Sequence, residues 1–123
     1  MTTINPTLNF LENQYSECII VFSRALTTLN RYLYGANLAG DGFPMPVDGV
    51  IHGLRVYDKT NDKSDTGSVE FSAGDRISVY AENNGDSFTL TVKVNDSDTA
   101  ISVSQVNENT DVYACVYIRL QRT

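Results

Sequence analysis

The stretch DRISVYAENNGDSFTLTVKV, residues 75–94, decides the fold of this chain. Apolar and polar residues alternate with a period of two on either side of Asn84-Gly85, and this alternation is typical of half-buried β-strands. Asn-Gly between two such runs is the strongest short signal for a β-hairpin. The stretch therefore predicts two antiparallel strands, whose inward-facing residues are Ile77, Val79, Ala81, Phe88, Leu90, Val92 and Val94.

The same alternation continues in both directions from this hairpin. In DVYACVYIRLQR, residues 111–122, one face carries Val112, Ala114, Val116, Ile118 and Leu120, and the other carries Tyr113, Cys115, Tyr117, Arg119 and Gln121. In VIHGLRVY, residues 50–57, one predicted face carries Val50, His52, Leu54 and Val56, and the other carries Ile51, Arg55 and Tyr57. Each run predicts one strand.

Turn-forming residues separate the predicted strands. SAGD at 72–75 and NDSD at 95–98 are tight turns, AISVSQV at 100–106 is a weaker strand, and DKTNDKSDTG at 58–67 predicts an exposed, mobile polar loop. Residues 47–122 therefore hold about six strands at spacings of about ten residues, which is typical of a sandwich or a barrel.

The first 46 residues give weaker signals. Residues 13–23 predict one strand, in which ECIIVF at 17–22 is typical of a buried strand. Residues 26–35 favour a strand over a short amphipathic helix, because Leu29, Arg31 and Leu33 alternate with Tyr32 and Tyr34.

Length and charge limit the class of protein. A chain of 123 residues has the size of one domain, and we predict an N-terminal arm over residues 1–12 and one antiparallel β-sandwich domain over residues 13–123. The net charge of −6 argues against nucleic acid and against an anionic membrane as partners. No apolar run has the length of a membrane span, and the N-terminus has no secretory signal pattern.

Two cysteines, Cys18 and Cys115, lie in apolar strand-like runs near opposite ends of the chain. Their spacing matches no zinc pattern. We expect two reduced thiols in or near the core, where cysteine behaves as a small hydrophobe. A disulfide between Cys18 and Cys115 and a redox role are the alternatives.

The sequence offers little for catalysis. The only histidine, His52, has no Gly-x-Ser-x-Gly motif to accompany it. We therefore predict no enzyme and no cofactor, and we interpret His52 as a structural or interface residue. At an interface, a change of its charge near neutral pH would tune assembly.

Oxygen-bearing side chains crowd one short stretch and are of the type that calcium prefers. They are Asp58, Thr60, Asp62, Ser64 and Asp65. An EF-hand requires Gly and Glu at the positions of Lys63 and Val69, so the pattern fails. We interpret the stretch as a solvated loop and predict no metal.

Two motifs resemble small jelly-roll domains of phage and virus-like particles. PVDGVIHGLRV, residues 46–56, is similar to their Pro-x-Asp-Gly turn and the strand that follows it. VEFSAGDRISVYAE, residues 69–82, is similar to a later turn and strand, which also resembles trimeric tumour-necrosis-factor-like jelly rolls. The second motif is carried by Phe71, Ala73, Gly74, Asp75, Ile77 and Val79.

The resemblance, over about residues 42–120, implies an eight-stranded β-sandwich of jelly-roll type that assembles as a homotrimer. It implies a structural protein of a bacteriophage virion, either a capsid decoration or cement protein or a fibre protein. Because the chain starts at Met1 without a stalk, we expect decoration: a protein on the capsid surface that binds and stabilises the major capsid protein. The alternative is a receptor- or carbohydrate-binding module of a head or tail fibre that binds a surface glycan.

Tyrosine and arginine, which interfaces enrich, share the polar face of the last predicted strand. The prolines of the 43–46 segment make it stiff, so it is suited to contact a neighbouring subunit. The alternative is that some tyrosine rings fill the second side of a sandwich. The predicted trimer-interface residues are Phe43, Met45, Tyr113, Tyr117 and Arg119, and the predicted capsid-contact residues of the arm are Leu8, Phe10 and Leu11.

Overall fold

The computed structural model describes residues 15–35, 42–108 and 110–121, which contain nine β-strands and no helix. The strands are β1 (Tyr15–Leu26), β2 (Arg31–Tyr32), β3 (Phe43–Pro44), β4 (Gly49–Tyr57), β5 (Asp62–Phe71), β6 (Arg76–Asn83), β7 (Ser87–Val94), β8 (Ser97–Asn107) and β9 (Thr110–Gln121).

The described strands form two antiparallel sheets. Sheet A has the order β1-β9-β4-β5, and sheet B has the order β2-β6-β7-β8, with β3 also paired to β6. The predicted antiparallel β-sandwich is confirmed, and the six strands expected over residues 47–122 are β4 to β9. The jelly-roll type stays a prediction, because β4–β5, β6–β7 and β7–β8 pair as consecutive hairpins, an order that does not by itself establish the two Greek keys of that fold.

The core lies between the sheets and follows the predicted alternation. Every second residue of the central strands is fully buried, as the sequence predicts for Ile77 to Ala81, Phe88 to Val92 and Val112 to Ile118. Three phenylalanines, Phe22, Phe71 and Phe88, supply the aromatic rings of this core, and no described tyrosine belongs to it. The tyrosine rings are therefore available for other contacts.

The predicted turns of sheet B are confirmed. The amide of Asn84 donates to the carbonyl of Ser87 at 2.8 Å, and Gly85 has a φ of 115° that favours glycine. Asn95 and Asp96 connect β7 to β8 with φ values of 50° and 66°. Two consecutive residues with positive φ form the primed hairpin turn that matches the twist of the strands.

β4 departs from the predicted alternation at a β-bulge between Ile51 and Gly53. Ile51 is fully buried, whereas Val50 and His52 are only partly buried. The prediction that Val50 and His52 share a face with Leu54 is wrong, because the extra residue of the bulge shifts the alternation by one position. As a result, His52 lies on the side of sheet A that faces away from the core.

The polar stretch 58–67 is a loop only at its start. From Asp62 onward it belongs to β5, which pairs with β4 along its length. Lys63 Nζ donates to the carbonyl of Gln105 at 2.9 Å, and the Asp65 carboxylate accepts the amide of Ser102 at 3.1 Å. Polar side chains thus fasten this edge strand to sheet B, and the prediction of an exposed loop is wrong for residues 62–67.

β1 is the other edge strand of sheet A. Phe22 and Leu26 are buried, but Ile19 and Val21 on the opposite face are 55% and 47% exposed. The prediction of a buried strand is therefore correct for one face only. In the stretch 26–35, Leu26 is the last residue of β1, and of residues 27–35 only Arg31–Tyr32 forms a strand, as part of sheet B.

The proline segment lies at the edge of sheet B. The backbone of Met45 accepts the amide of Gly74 at 2.8 Å and donates to Asp75 at 2.9 Å. The Met45 side chain is 3% exposed and belongs to the core, and Phe43 is half-buried against it. This burial removes Met45 from the predicted trimer interface, because the side chain is enclosed within its own chain. A contact of Phe43 with a second subunit stays a prediction.

Candidate interaction surface

The outer face of sheet A, which faces away from the core, carries the predicted interface residues of β9. Tyr113, Tyr117 and Arg119 alternate with buried residues of the same strand. The register places Tyr117 opposite Ile19 of β1 and Gly53 of β4. The prediction that the three side chains share one face is confirmed, and their contact with another subunit stays a prediction.

Exposed apolar side chains concentrate on this face. Four of the six large apolar side chains that are exposed among the described residues lie here, namely Ile19, Val21, Tyr57 and Tyr113. Tyr57 is the cross-strand partner of Tyr113. Single exposed apolar residues are normal on a protein, whereas a group of them on one rigid face marks an interaction site.

At one end of the outer face of sheet A, three strands contribute to an ion-pair cluster. Glu17 Oε1 accepts a hydrogen bond from Arg119 Nε at 3.0 Å, and Glu17 Oε2 lies 3.0 Å from His52 Nε2. Arg119, and then His52, hold the pKa of Glu17 below its usual value. Because the cluster is exposed, its contribution to folding is small.

A second ion pair lies on the same face. Arg55 Nε donates to Asp62 Oδ1 at 2.8 Å, and an Arg55 terminal nitrogen donates to Asp62 Oδ2 at 2.6 Å. The hydrogen bonds from Arg55 lower the pKa of Asp62. In turn, the pKa of Arg55 is raised by Asp62 and, to a smaller extent, by Tyr117. The two parallel bonds fix the guanidinium plane beside the Tyr117 side chain.

A shallow depression of about 340 Å³ lies between the two ion pairs. Gly53 forms part of its wall, and a Cβ at that position would lie 3.5 Å from Tyr117 Cδ2, so the glycine leaves space beside the ring. A tyrosine ring next to a paired arginine and aspartate suits a hydroxyl-rich group by stacking and hydrogen bonding. The lining residues include His52, Gly53, Arg55, Asp62, Thr66 and Tyr117.

The outer side of sheet B is different, because its tyrosines are engaged within the chain. Lys93 Nζ lies 4.5 Å from the ring centroid of Tyr80 and 5.6 Å from that of Tyr32. The same ammonium pairs with Asp98 at 3.3 Å, and the Tyr32 hydroxyl contacts Asp96 at 3.1 Å. The outer face of sheet A is therefore the better candidate for external contacts.

The acidic stretch after β4 makes hydrogen bonds and ion pairs within the chain. The Asp58 side chain is 2% exposed, and its carboxylate accepts backbone amides of Asn61 and Asn107 at 2.8 Å each. Asp62 and Asp65 point to other partners, Arg55 and Ser102. Within the described residues, no group of three or more His, Cys, Asp or Glu side chains is placed to hold a metal ion. The prediction of a solvated loop is wrong for Asp58.

Both cysteines are free thiols, as expected. Cys18 pairs with Ile118 and packs against the core, whereas Cys115 pairs with Val21 on the outer face of sheet A. The alternative of a Cys18–Cys115 disulfide is wrong, because the two side chains lie on opposite faces of the sheet. Burial raises the pKa of the Cys18 thiol, which makes it a poor nucleophile.

The predicted arm residues Leu8, Phe10 and Leu11 lie outside the described residues. No protein-family model, curated protein or solved structure gives a significant match to the chain. In the part of the chain that the structure describes, no helix is long and apolar enough to cross a membrane.

Proposed function

We propose that the chain is a structural virion protein, a homotrimeric decoration or cement protein of a bacteriophage capsid. The observation that carries this proposal is the outer face of sheet A. Exposed apolar side chains from β1, β4 and β9 lie there beside two ion pairs of fixed geometry. Such a surface, built on regular strands, is suited to protein–protein contact rather than to catalysis.

The mechanism is adhesion. Trimerisation buries part of the outer face of sheet A in each subunit and leaves three equal surfaces for the major capsid protein. Contacts that are weak singly become strong when three of them are linked, because the second and third bind at high effective concentration. A net charge of −6 favours a neutral or positively charged capsid surface over an acidic one.

Quantitative mass spectrometry of purified virions that contain the chain tests this proposal. A decoration protein is expected in hundreds of copies, on the order of the number of capsid subunits it covers, and it should co-sediment with capsids that lack tails. Tens of copies or fewer, found only on tailed particles, would place the chain on the tail and contradict decoration.

The depression on the outer face of sheet A favours a second candidate, a glycan-binding fibre module. The Tyr117 ring and the Arg55–Asp62 pair provide stacking and hydrogen bonds of the kind that sugars use. A glycan array would show specific binding that Asp62→Ala abolishes and that Asp86→Ala, a change in the β6–β7 turn, leaves intact. An array without binding, together with high copy number on capsids, would exclude this candidate.

A further inference from the structure

Asn84 and Gly85 lie in the turn between β6 and β7, and they are the only Asn-Gly pair in the sequence. Both residues are exposed. Apart from the two chain neighbours of Gly85, no atom would lie within 4 Å of a Cβ at that position. Water therefore has free access to this pair in the folded protein.

An asparagine followed by glycine has its own route to covalent change. The glycine nitrogen loses its proton to solvent and attacks the side-chain carbonyl carbon of the asparagine. A C–N bond forms, and the side-chain nitrogen takes up a proton and leaves as ammonia. Water then opens the resulting succinimide ring to aspartate or isoaspartate. Glycine favours the reaction, because it has no Cβ to hinder the approach of its nitrogen.

The folded turn holds the attacking nitrogen. The Gly85 N–H donates to Asn83 Oδ1 at 2.7 Å, so the proton that has to leave is engaged by an acceptor. The connection between β1 and β2 in turn fixes Asn83. Its side-chain nitrogen donates to the Thr28 carbonyl, and its backbone amide donates to Asn30 Oδ1, at 2.7 Å each. A neighbouring connection therefore positions the acceptor for Gly85.

The leaving nitrogen is held as well. Asn84 Nδ2 donates to Thr89 Oγ1 of β7. The reaction breaks both hydrogen bonds, because the Gly85 nitrogen loses its proton and Asn84 Nδ2 departs. The unfolded chain has neither bond, so the folded turn should react more slowly than the unfolded chain.

The other described asparagines differ from Asn84. Each of them is followed by a residue with a Cβ, which hinders the attack. Asn95 lies in the turn between β7 and β8, and its Oδ1 accepts the amide of Arg76 at 2.9 Å. Because Asn95 is exposed but precedes Asp96, it serves as an internal reference in the same molecule.

We propose that Asn84 is a site of spontaneous deamidation in the folded protein, and that the Asn83 side chain sets the rate of the reaction. Water is the co-reactant, and ammonia is the leaving group. The product carries one more negative charge in the β6–β7 turn. In the isoaspartate product, one extra carbon atom also enters the main chain between the two strands.

This modification does not depend on the proposed function. The turn belongs to sheet B, whereas the proposed interface lies on the outer face of sheet A. Loss of capsid binding would contradict the proposed function and leave the deamidation site standing.

Peptide mass spectrometry after incubation at mildly alkaline pH measures the conversion of Asn84. The product has the mass change of an amide that becomes a carboxylic acid, and chromatography separates aspartate from isoaspartate. The folded wild type should convert several-fold more slowly than the same chain in guanidinium chloride. This comparison requires no variant to fold. Asn95 should remain unchanged while Asn84 of the folded protein converts.

An Asn83 variant tests what sets the rate. Asn83→Ala should convert about fivefold faster than the wild type under native conditions, as expected for the loss of one hydrogen bond. In guanidinium chloride the two chains should convert equally fast. Asp58→Ala, which weakens the fold without removing the acceptor of the Gly85 N–H, should keep the wild-type rate and controls for general destabilisation.

The proposal fails on any of four results. Equal rates for the folded and the unfolded wild type would show that the turn gives no protection. A folded protein without conversion, while the unfolded chain converts completely, would exclude Asn84 as a site in the native state. Asn83→Ala at the wild-type rate, or Asp58→Ala as fast as Asn83→Ala, would contradict the role of Asn83.

Discussion

Asp58 joins three parts of the chain through a single residue. Its carboxylate accepts the amides of Asn61 and Asn107, and its carbonyl oxygen lies 3.4 Å from the Thr110 hydroxyl. Burial of the carboxyl raises its pKa, but the hydrogen bonds from Asn107, Asn61 and Thr60 lower the pKa by more, to below its usual value. The ionised form is therefore the one that stabilises the fold.

Replacing this carboxylate should weaken the fold strongly. We expect Asp58→Ala to lower the free energy of unfolding by about 1–3 kcal/mol, since it leaves two partly buried amides without their acceptor. Urea denaturation measures the change, with Asp86→Ala in the β6–β7 turn as an exposed control that should shift little. Equal shifts for the two variants would contradict the role of Asp58.

The same residue predicts a pH dependence. A carboxyl whose pKa is lower in the folded state contributes its full stability above the unfolded pKa of about 3.9, and this contribution is lost as the pH falls through the folded pKa. The stability difference between wild type and Asp58→Ala should therefore be constant near neutral pH and shrink in acid. A difference that stays the same from pH 7 to pH 2 would refute the sign of the shift.

Gly49 is required because of space. A Cβ there would lie 2.5 Å from the backbone oxygen of Arg119 and 2.6 Å from the Phe71 ring. Gly49→Ala should lower the unfolding free energy by about 1–3 kcal/mol, because the backbone of β9 cannot move aside. Gly53→Ala, whose Cβ would lie 3.4 Å from the nearest atom, is the matched control in the same strand and should change less than Gly49→Ala. A larger loss for Gly53→Ala would contradict this reasoning.

Single residues also show where sequence patterns reach their limit. The sequence identifies Asp48-Gly49 as a turn. It does not identify the bulge at His52, because the extra residue does not change the alternation of apolar and polar residues that precedes it. Glu17 lies 102 positions from Arg119. Its place in the ion-pair cluster depends on the pairing of β1 with β9, which no local motif predicts.

Among the strands, β5 shows that a polar sequence can form a strand when that strand lies at the edge of a sheet. Its residues are polar because the strand lies at an edge and packs through Lys63 and Asp65 onto β8. β6, β7 and β9 are readable from sequence because each buries one face, and burial enforces the alternation. β5 buries too little apolar surface for its sequence to show this alternation.

Amide hydrogen exchange tests the assignment of β5. If residues 62–67 belong to a strand, those amides between Lys63 and Val69 that face β4 should exchange slowly, in an alternating pattern. The amide of Leu29, in the exposed connection between β1 and β2, should exchange quickly and serves as the reference. Uniformly fast exchange over residues 62–67 would contradict the strand and support the loop that the sequence predicts there.

On the scale of the whole molecule, the two sheets have different outer sides. The tyrosines of sheet B are covered by Lys93 and acidic neighbours, whereas Tyr57 and Tyr113 of sheet A remain about half exposed, at 49% and 47%. Sequence alone placed Tyr113, Tyr117 and Arg119 on one face, because they alternate within one strand. The sequence could not predict that Ile19, Val21 and Tyr57 lie on the same face, since the pairing of β1 and β4 with β9 places them there.

The central claim is that the outer face of sheet A holds subunits together, and sedimentation equilibrium of face variants tests it most directly. The wild type should have the mass of three chains of 13.6 kDa. The double variant Tyr57→Ala, Tyr113→Ala should lose the threefold contact, because it removes two adjacent exposed rings at the end of the face that lies away from the ion-pair cluster. Leu29→Ala, which removes an exposed side chain elsewhere, should keep the wild-type mass. A monomeric wild type, or a double variant with unchanged mass, would contradict the claim.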